Sequence, residues 1–143
     1  MNRFLPILAA LLASGCASVA LPAPPSCFHR NEAIERDIGF CQAVRSGNTL
    51  HVSGVTGAGP MDAAVRSVYG RLKEILEANG LTLSDVVKET VFATDLDAFI
   101  RSKSVRREFY GESLPAATWV QVQRLYLPSF VVEVEVTAEY PSK

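Results

Sequence analysis

The chain has 143 residues with a formal charge of −1, 48% hydrophobic residues and 20% charged residues. This is the ordinary composition of one globular domain. A near-zero charge without a cluster of Lys and Arg argues against nucleic acid as a dedicated partner.

The first residues are typical of an export signal. Arg3 precedes an apolar run from Phe4 to Ala13, and Ser14-Gly15 follow. A basic start, a short apolar run and small residues define a secretory signal peptide. The run is shorter than the roughly 20 residues of a membrane-spanning helix. Residues 1–15 are therefore expected to be a signal peptide.

The stretch ending at Cys16 resembles the lipobox of bacterial lipoproteins, whose Cys becomes the lipid-modified first residue. The position three before that Cys is usually Leu and is Ala13 here. The resemblance implies an exported protein, anchored to a bacterial membrane through Cys16 and facing the periplasm. Ordinary cleavage nearby, giving a soluble periplasmic protein, stays open. Residues 16–27 are rich in Pro and Ala and predict a tether.

Export implies an oxidising compartment, in which Cys27 and Cys41 are candidates for a disulfide. The sequence leaves open whether they are bonded or free. His29 lies close to Cys27, but this trio lacks a fourth ligand and the usual zinc spacing, so we expect no metal site.

Residues 28–143 are predicted to form one α+β domain with two helices on one face of a mixed sheet. A hairpin is expected first, followed by a helix from Asp62 to Asn79, a strand, a second helix, and a final pair of strands side by side. Asp62 is the predicted N-cap of the first helix. Its apolar residues recur at helical spacing on one face: Val65, Val68, Tyr69, Leu72, Ile75 and Leu76. The hairpin strands are predicted at Phe40–Arg45 and Thr49–Thr56, and the second helix at Asp97–Tyr110. The remaining strands are predicted at Val86–Thr94, Ala117–Leu125 and Phe130–Tyr140.

The last strand alternates apolar and polar residues, with Glu133 and Glu135 in its polar row. Side chains alternate faces along a strand, so one face is expected in the core and the other wetted or against another subunit. Trp119 on the preceding strand is expected on the same polar face.

Several stretches in order resemble the Rid (YjgF-like, reactive-intermediate deaminase) family. They are Ile38–Val44, Leu50–Gly54, Leu83–Leu96, Leu114–Ala116, Val122–Leu125 and Val132–Val136. The resemblance implies a chorismate-mutase-like subunit in a homotrimer, with a small-molecule cleft between subunits. It implies hydrolysis of 2-imino acids to 2-oxo acids and ammonia, without metal or organic cofactor.

Two family positions keep their residues: Ser53 in the Val-Ser-Gly motif, and Glu135, matched to the Glu that positions water. At the others, Cys41 replaces a Tyr, Lys103 an Asn and Trp119 a Cys, and Ala117 replaces the Arg that binds the substrate carboxylate. We therefore expect no efficient 2-imino acid deamination. A related imine or enamine hydrolase and a silent trimer that binds a ligand or partner protein stay open.

Overall fold

The computed structural model describes residues 24–141, which form a six-stranded sheet with four α-helices. The signal peptide and Cys16 lie outside the described residues. A short 3-10 helix, Leu83–Asp85, precedes the fourth strand. In chain order the elements are β1 (Ser26–Phe28), α1 (Glu32–Ile38), β2 (Ala43–Ser46), β3 (Thr49–Ala58), α2 (Met61–Ala78), β4 (Val86–Ala93), α3 (Leu96–Arg101), α4 (Lys103–Tyr110), β5 (Ala116–Gln121) and β6 (Phe130–Glu139).

The strands lie in the order β1-β2-β3-β6-β4-β5. All neighbours are antiparallel except β4 and β5, which are parallel and joined through α3 and α4. A parallel pair needs such a crossover connection. The last two strands were expected side by side, but β4 separates them, so this prediction is wrong. Each strand on its own was predicted from its period-2 pattern, which carries no information about its neighbour.

The core lies between the sheet and α2. The predicted apolar stripe of this helix is confirmed, since Val65, Val68, Tyr69, Leu72, Ile75 and Leu76 are all buried. Against it lie Val132, Val134, Val136 and Ala138 of β6, as the alternation predicted. Gly57 of β3 lets the helix approach closely, because a Cβ there would lie 2.8 Å from the carbonyl oxygen of Ala64.

Two local predictions need correction. Pro60, not Asp62, is the N-cap of α2, and Asp62 lies in the first turn, where a carboxylate favours the helix dipole. The second predicted helix is broken into α3 and α4 at Ser102. The hydroxyl of Ser102 donates to the carbonyl of Ala98 at 3.1 Å, a local bond that competes with the helix ladder.

Two elements at the start of the domain were not predicted. β1 begins at Ser26, inside the predicted tether, and pairs with β2. α1 is capped by the side chain of Asn31, which accepts from the amide of Ile34, and ends at Gly39 in a left-handed conformation. Ile34 and Ile38 of this helix are exposed, so α1 lacks the buried apolar stripe by which a helix is recognised.

The α+β fold with helices on one face of a mixed sheet is confirmed. His51, Thr90, Glu135 and Thr137 lie on the other face, which no helix of the described residues covers. Within residues 24–141, no helix is both long and apolar enough to cross a membrane.

Candidate functional site

A cavity lies beside a free edge of β3, and we call it the β3-edge cavity. β2 pairs with β3 in register only as far as Val52, and Gln42 then binds the backbone N–H and carbonyl of Ser53. Among the described residues, the edge from Gly54 to Thr56 has no neighbouring strand. The cavity encloses about 580 Å³ and is bounded by α1, α2 and the loop before β6. Its lining is Arg30, Ile34, Ile38, Phe40, Gln42, Ser53, Gly54, Val55, Thr56, Arg71, Ile75, Tyr126, Leu127, Phe130 and Glu133. A mostly apolar pocket with a few polar groups is typical of a small-molecule site.

Glu133 is the carboxylate of this cavity. Its side chain lies across Gly54, where a Cβ would come within 1.9 Å of Oε1, so the glycine leaves the space that the carboxylate occupies. Burial, and secondly the charge of Glu135, raise the pKa of Glu133 above its ordinary value. A carboxyl whose pKa is raised by burial holds a proton more readily, as a group that acts as general acid or base must.

Ser53 lies in the same cavity, but its hydroxyl is engaged. It donates a hydrogen bond of 2.7 Å to the carbonyl of Cys41. Cys41 is joined to Cys27 by a disulfide with 5.6 Å between the two Cα atoms. The disulfide therefore holds the segment that presents Phe40 and Gln42 to the cavity, and Cys41 offers no thiol to a substrate.

Glu135, the carboxylate expected from the sequence to position water, does not line the β3-edge cavity. It lies in a separate depression of about 150 Å³ on the open face, with His51, Lys88 and Thr90. Its side chain is exposed. Of Glu133 and Glu135, Glu133 is the one that shares a cavity with Ser53.

Ala117, Trp119 and Lys103 lie apart from this cavity within one chain. Ala117 and Trp119 are on β5, three strand positions from β3, which corresponds to roughly 14 Å. Lys103 is exposed at the start of α4. Only a second subunit could bring these positions to the β3-edge cavity.

The expectation that Trp119 lies on the open face is wrong. Its ring packs edge-on against Phe99, 5.1 Å between centroids, and its indole N–H donates to Glu89 at 3.3 Å. Trp119 pairs with Val91 in register, and Val91 belongs to the buried row of β4. The alternation in β5 showed which residues share a face but not which face is covered.

Glu89 is the centre of a buried polar cluster on the helix side. It is 0% exposed and accepts from Arg106 Nε at 2.8 Å and from the Tyr69 hydroxyl at 2.7 Å. Burial, the largest single cause, lowers the pKa of Arg106, but the charge of Glu89, its hydrogen bond and the nearby tyrosines together outweigh burial and raise that pKa. The carboxylate of Glu89 accepts from Arg106, Tyr69 and Trp119, and we assign this cluster to the stability of the fold.

The Cys27, His29 and Cys41 ligand atoms do come together, all within 4.8 Å. The two sulfurs are bonded to each other, so they are not the thiolates that zinc requires. His29 instead bonds Glu35, with 2.7 Å between Nδ1 and Oε2.

Three residues of the cavity were not selected from the sequence: Glu133, Arg30 and Arg71. Glu133 carried a signal, because it stands in the same polar row as Glu135. The two arginines carried none, since Arg71 is one of several charged residues on α2 and Arg30 precedes a helix that was not predicted.

Comparisons with known proteins agree on one family. The model of the Endoribonuclease L-PSP family matches residues 31–140. The 2-iminobutanoate/2-iminopropanoate deaminase of Escherichia coli is 36% identical over 111 residues, 69% of this chain and 85% of that protein. A RutC family protein of Pyrococcus horikoshii is 34% identical over 108 residues, 69% of this chain and 85% of that protein. The crystal structure of a YjgF/YER057c/UK114 family member from Mycobacterium tuberculosis superposes with a TM-score of 0.76 at 29% identity, covering 82% of this chain and all (100%) of that one.

Proposed function

Since the chain belongs to the Endoribonuclease L-PSP family, also known as the YjgF-like or Rid family, we propose that it hydrolyses a small imine or enamine in the β3-edge cavity. The observation that carries this proposal is the half-buried Glu133 carboxylate, held over Gly54 beside Ser53. The deaminase activity named for the Escherichia coli relative supplies the reaction type.

The chemistry assigned to Glu133 is proton transfer. It takes a proton from water as the oxygen attacks the C=N carbon and gives that proton to the nitrogen, which forms a neutral carbinolamine. It then transfers the hydroxyl proton of this intermediate to the nitrogen as the C–N bond breaks and the carbonyl forms. An imine and one water thus give a carbonyl compound and ammonia. Such general acid–base assistance contributes about 10²- to 10⁴-fold to a rate. The raised pKa of Glu133 supports this role, because burial favours its protonated form between the two steps.

The substrate is not expected to be an ordinary 2-imino acid. The resemblance implies that a guanidinium binds the carboxylate of such substrates, and Ala117 stands at that position. A hydrogen bond to a charged group contributes about 1.5–3 kcal/mol, so its loss costs roughly 10²-fold in kcat/KM when a bidentate contact is lost. We therefore propose a substrate whose groups differ from those of 2-iminopropanoate.

A homotrimer is part of the same proposal. Leu114 and Val120 on and near β5 are 51% and 39% exposed, although both are apolar. Exposed apolar side chains at a sheet edge support a contact with another subunit, which could place position 117 near the cavity of a neighbour. Sedimentation equilibrium at micromolar concentration should give a trimer, and a monomer would contradict this part.

We also propose export and attachment to a bacterial membrane through Cys16. The signal-like residues 1–15 support export, and the Cys27–Cys41 disulfide fits an oxidising compartment. Wild type should fractionate with membranes and Cys16→Ser should be soluble. Membrane association that persists in Cys16→Ser would overturn the anchor.

The catalytic proposal is tested by ammonia release from freshly generated imines. We expect slow turnover of 2-iminopropanoate, a higher rate in Ala117→Arg, and a loss of about 10²-fold or more in Glu133→Gln. Glu135→Gln is the matched control, two residues along the same face, and should keep its activity. Fast turnover of 2-iminopropanoate by wild type, or equal activity of Glu133→Gln and wild type, contradicts the proposal. No turnover of any imine would favour a silent ligand-binding protein.

A further inference from the structure

The β3-edge cavity contains two arginines that the proposed reaction does not use. Arg71 reaches from α2 to the free edge of β3, where its Nη2 donates to the carbonyl of Thr56. Its Nε donates to the carbonyl of Ser67 at 3.3 Å. Both contacts are to neutral acceptors, so they orient the guanidinium without neutralising it.

Arg71 has no direct ion-pair partner among the described residues. Among residues 24–141, no Asp or Glu lies within ion-pair distance of its nitrogens. Arg30, which lines the same cavity, pairs with Glu74 at 3.1 Å, and the two side chains are 45% and 64% exposed. Burial, and secondly the charge of Arg30, lower the pKa of Arg71, and the charge of Glu74 offsets this lowering only in part.

The position of this charge relative to Glu133 matters for ligand binding. Thr56, which Arg71 contacts, is the register partner of Glu133 in the β3–β6 pair. Both groups therefore meet the same short segment of β3. The same cavity is lined by the apolar side chains of Ile34, Ile38 and Phe130.

We propose that Arg71, with Arg30, binds the carboxylate of a small organic acid whose apolar part lies on Ile34, Ile38 and Phe130. A guanidinium suits this role because its planar fork matches a carboxylate. The inference deepens the proposed function and rests on it for the reaction, since it names the substrate class as carboxylate-bearing imines. The substrate carboxylate would then be bound by Arg71 on α2 and by Arg30 just before α1, within one chain, and not at position 117 on β5.

The arrangement also explains why the family's carboxylate site can be absent. A carboxylate held beside Thr56 lies elsewhere than one held by residue 117. Imines that carry the carboxylate at the end of an apolar chain are then preferred to 2-imino acids. The like charges of Arg30 and Arg71 repel each other in the free protein, and a bound carboxylate relieves this repulsion.

Binding of octanoate to the full chain tests the inference without any chemistry. Octanamide is the neutral probe of equal length, and inorganic phosphate is an oxyanion without an apolar part. By calorimetry we expect octanoate to bind wild type at least about tenfold more tightly than octanamide or phosphate. Arg71→Met should lose this preference, while Arg66→Met, on the exposed side of the same helix, should keep it.

Arg30→Met serves as a second variant, because Arg30 is exposed and Arg71 also supports β3 through Thr56. It should weaken octanoate binding and leave octanamide binding unchanged. Equal affinity of wild type for octanoate and octanamide overturns the inference, as does unchanged octanoate affinity in both variants. Phosphate binding as tight as octanoate overturns the organic-acid part.

The two proposals can fail separately. Glu133→Gln should still bind octanoate, because this carboxylate does not contact the probe's anionic group. Arginine-dependent octanoate binding without turnover of any imine would sustain the anion site and refute the hydrolase. Turnover that depends on Glu133 but not on Arg30 or Arg71 would sustain the hydrolase and refute the anion site.

Discussion

Replacing Arg106 by Met should destabilise the domain more than any change on its surface. Arg106 is 8% exposed and Glu89 is 0% exposed, with 2.8 Å between Nε and Oε1. Met keeps much of the apolar stem but removes the charge, so Glu89 retains only the neutral donors of Tyr69 and Trp119. Removing one partner of a buried ion pair costs about 3–5 kcal/mol. This is a large share of the roughly 5–15 kcal/mol by which a domain is stable.

The free energy of unfolding can be measured by urea titration with tryptophan fluorescence. Trp119 is the single tryptophan and contacts this cluster, so its emission reports directly on the pair. The double variant Glu89→Leu/Arg106→Met should be more stable than Arg106→Met, because no charge is left buried. Arg66→Met, which breaks an exposed pair with Glu108, is the control and should change stability little. A loss below about 1 kcal/mol in Arg106→Met would refute the assigned role of the pair.

Two further predictions concern the start of the domain. Burial would raise the pKa of Glu35, but hydrogen bonds from Asn31, His29, Arg30 and Gln42 outweigh it and lower that pKa. The stabilisation by Glu35 is therefore present above the ordinary carboxylate pKa of about 4.3 and is lost as the pH falls below that value. In urea titrations, Glu35→Gln should be less stable than wild type at pH 7, and its stability should fall less steeply as the pH is lowered. Parallel profiles of stability against pH for the two proteins would contradict this prediction. Reduction of the disulfide opens a loop with a sequence separation of 14 and should cost about 3 kcal/mol, seen as a lower urea midpoint in dithiothreitol, and an unchanged midpoint would show that the bond contributes nothing.

Much of the fold follows from local patterns. α2 was recognised because its apolar residues recur at helical spacing, and all six predicted positions are buried. β6 was recognised because its residues alternate over its whole length. α1 and β1 were missed because each is short and mostly exposed, so neither has a buried pattern to detect.

The candidate site was predictable only in part. The Val-Ser-Gly motif indicated Ser53, which does line the cavity. Arg71 could not be selected from the sequence, because a charged residue on a helix is normally expected to face solvent. Its place in the cavity becomes evident only once the end of the β2–β3 pairing is known. The free edge of β3 depends on that end, which is a property of strand pairing and not of β3 itself.

The sequence by itself determined that β6 has one apolar and one acidic face, because a strand's period of two residues is imposed by the backbone. It also determined that the carboxylate-binding Arg expected from the family resemblance is Ala117. Only the tertiary structure showed which of Glu133 and Glu135 lines the β3-edge cavity. The two residues stand in the same polar row, so the period of two cannot distinguish them. Glu133 lies over Gly54 at the free edge of β3, whereas Glu135 lies one step along, above paired strands and exposed. The two carboxylates differ in their surroundings because β2 stops pairing with β3 at Val52. Contacts between residues far apart in the sequence set that end point.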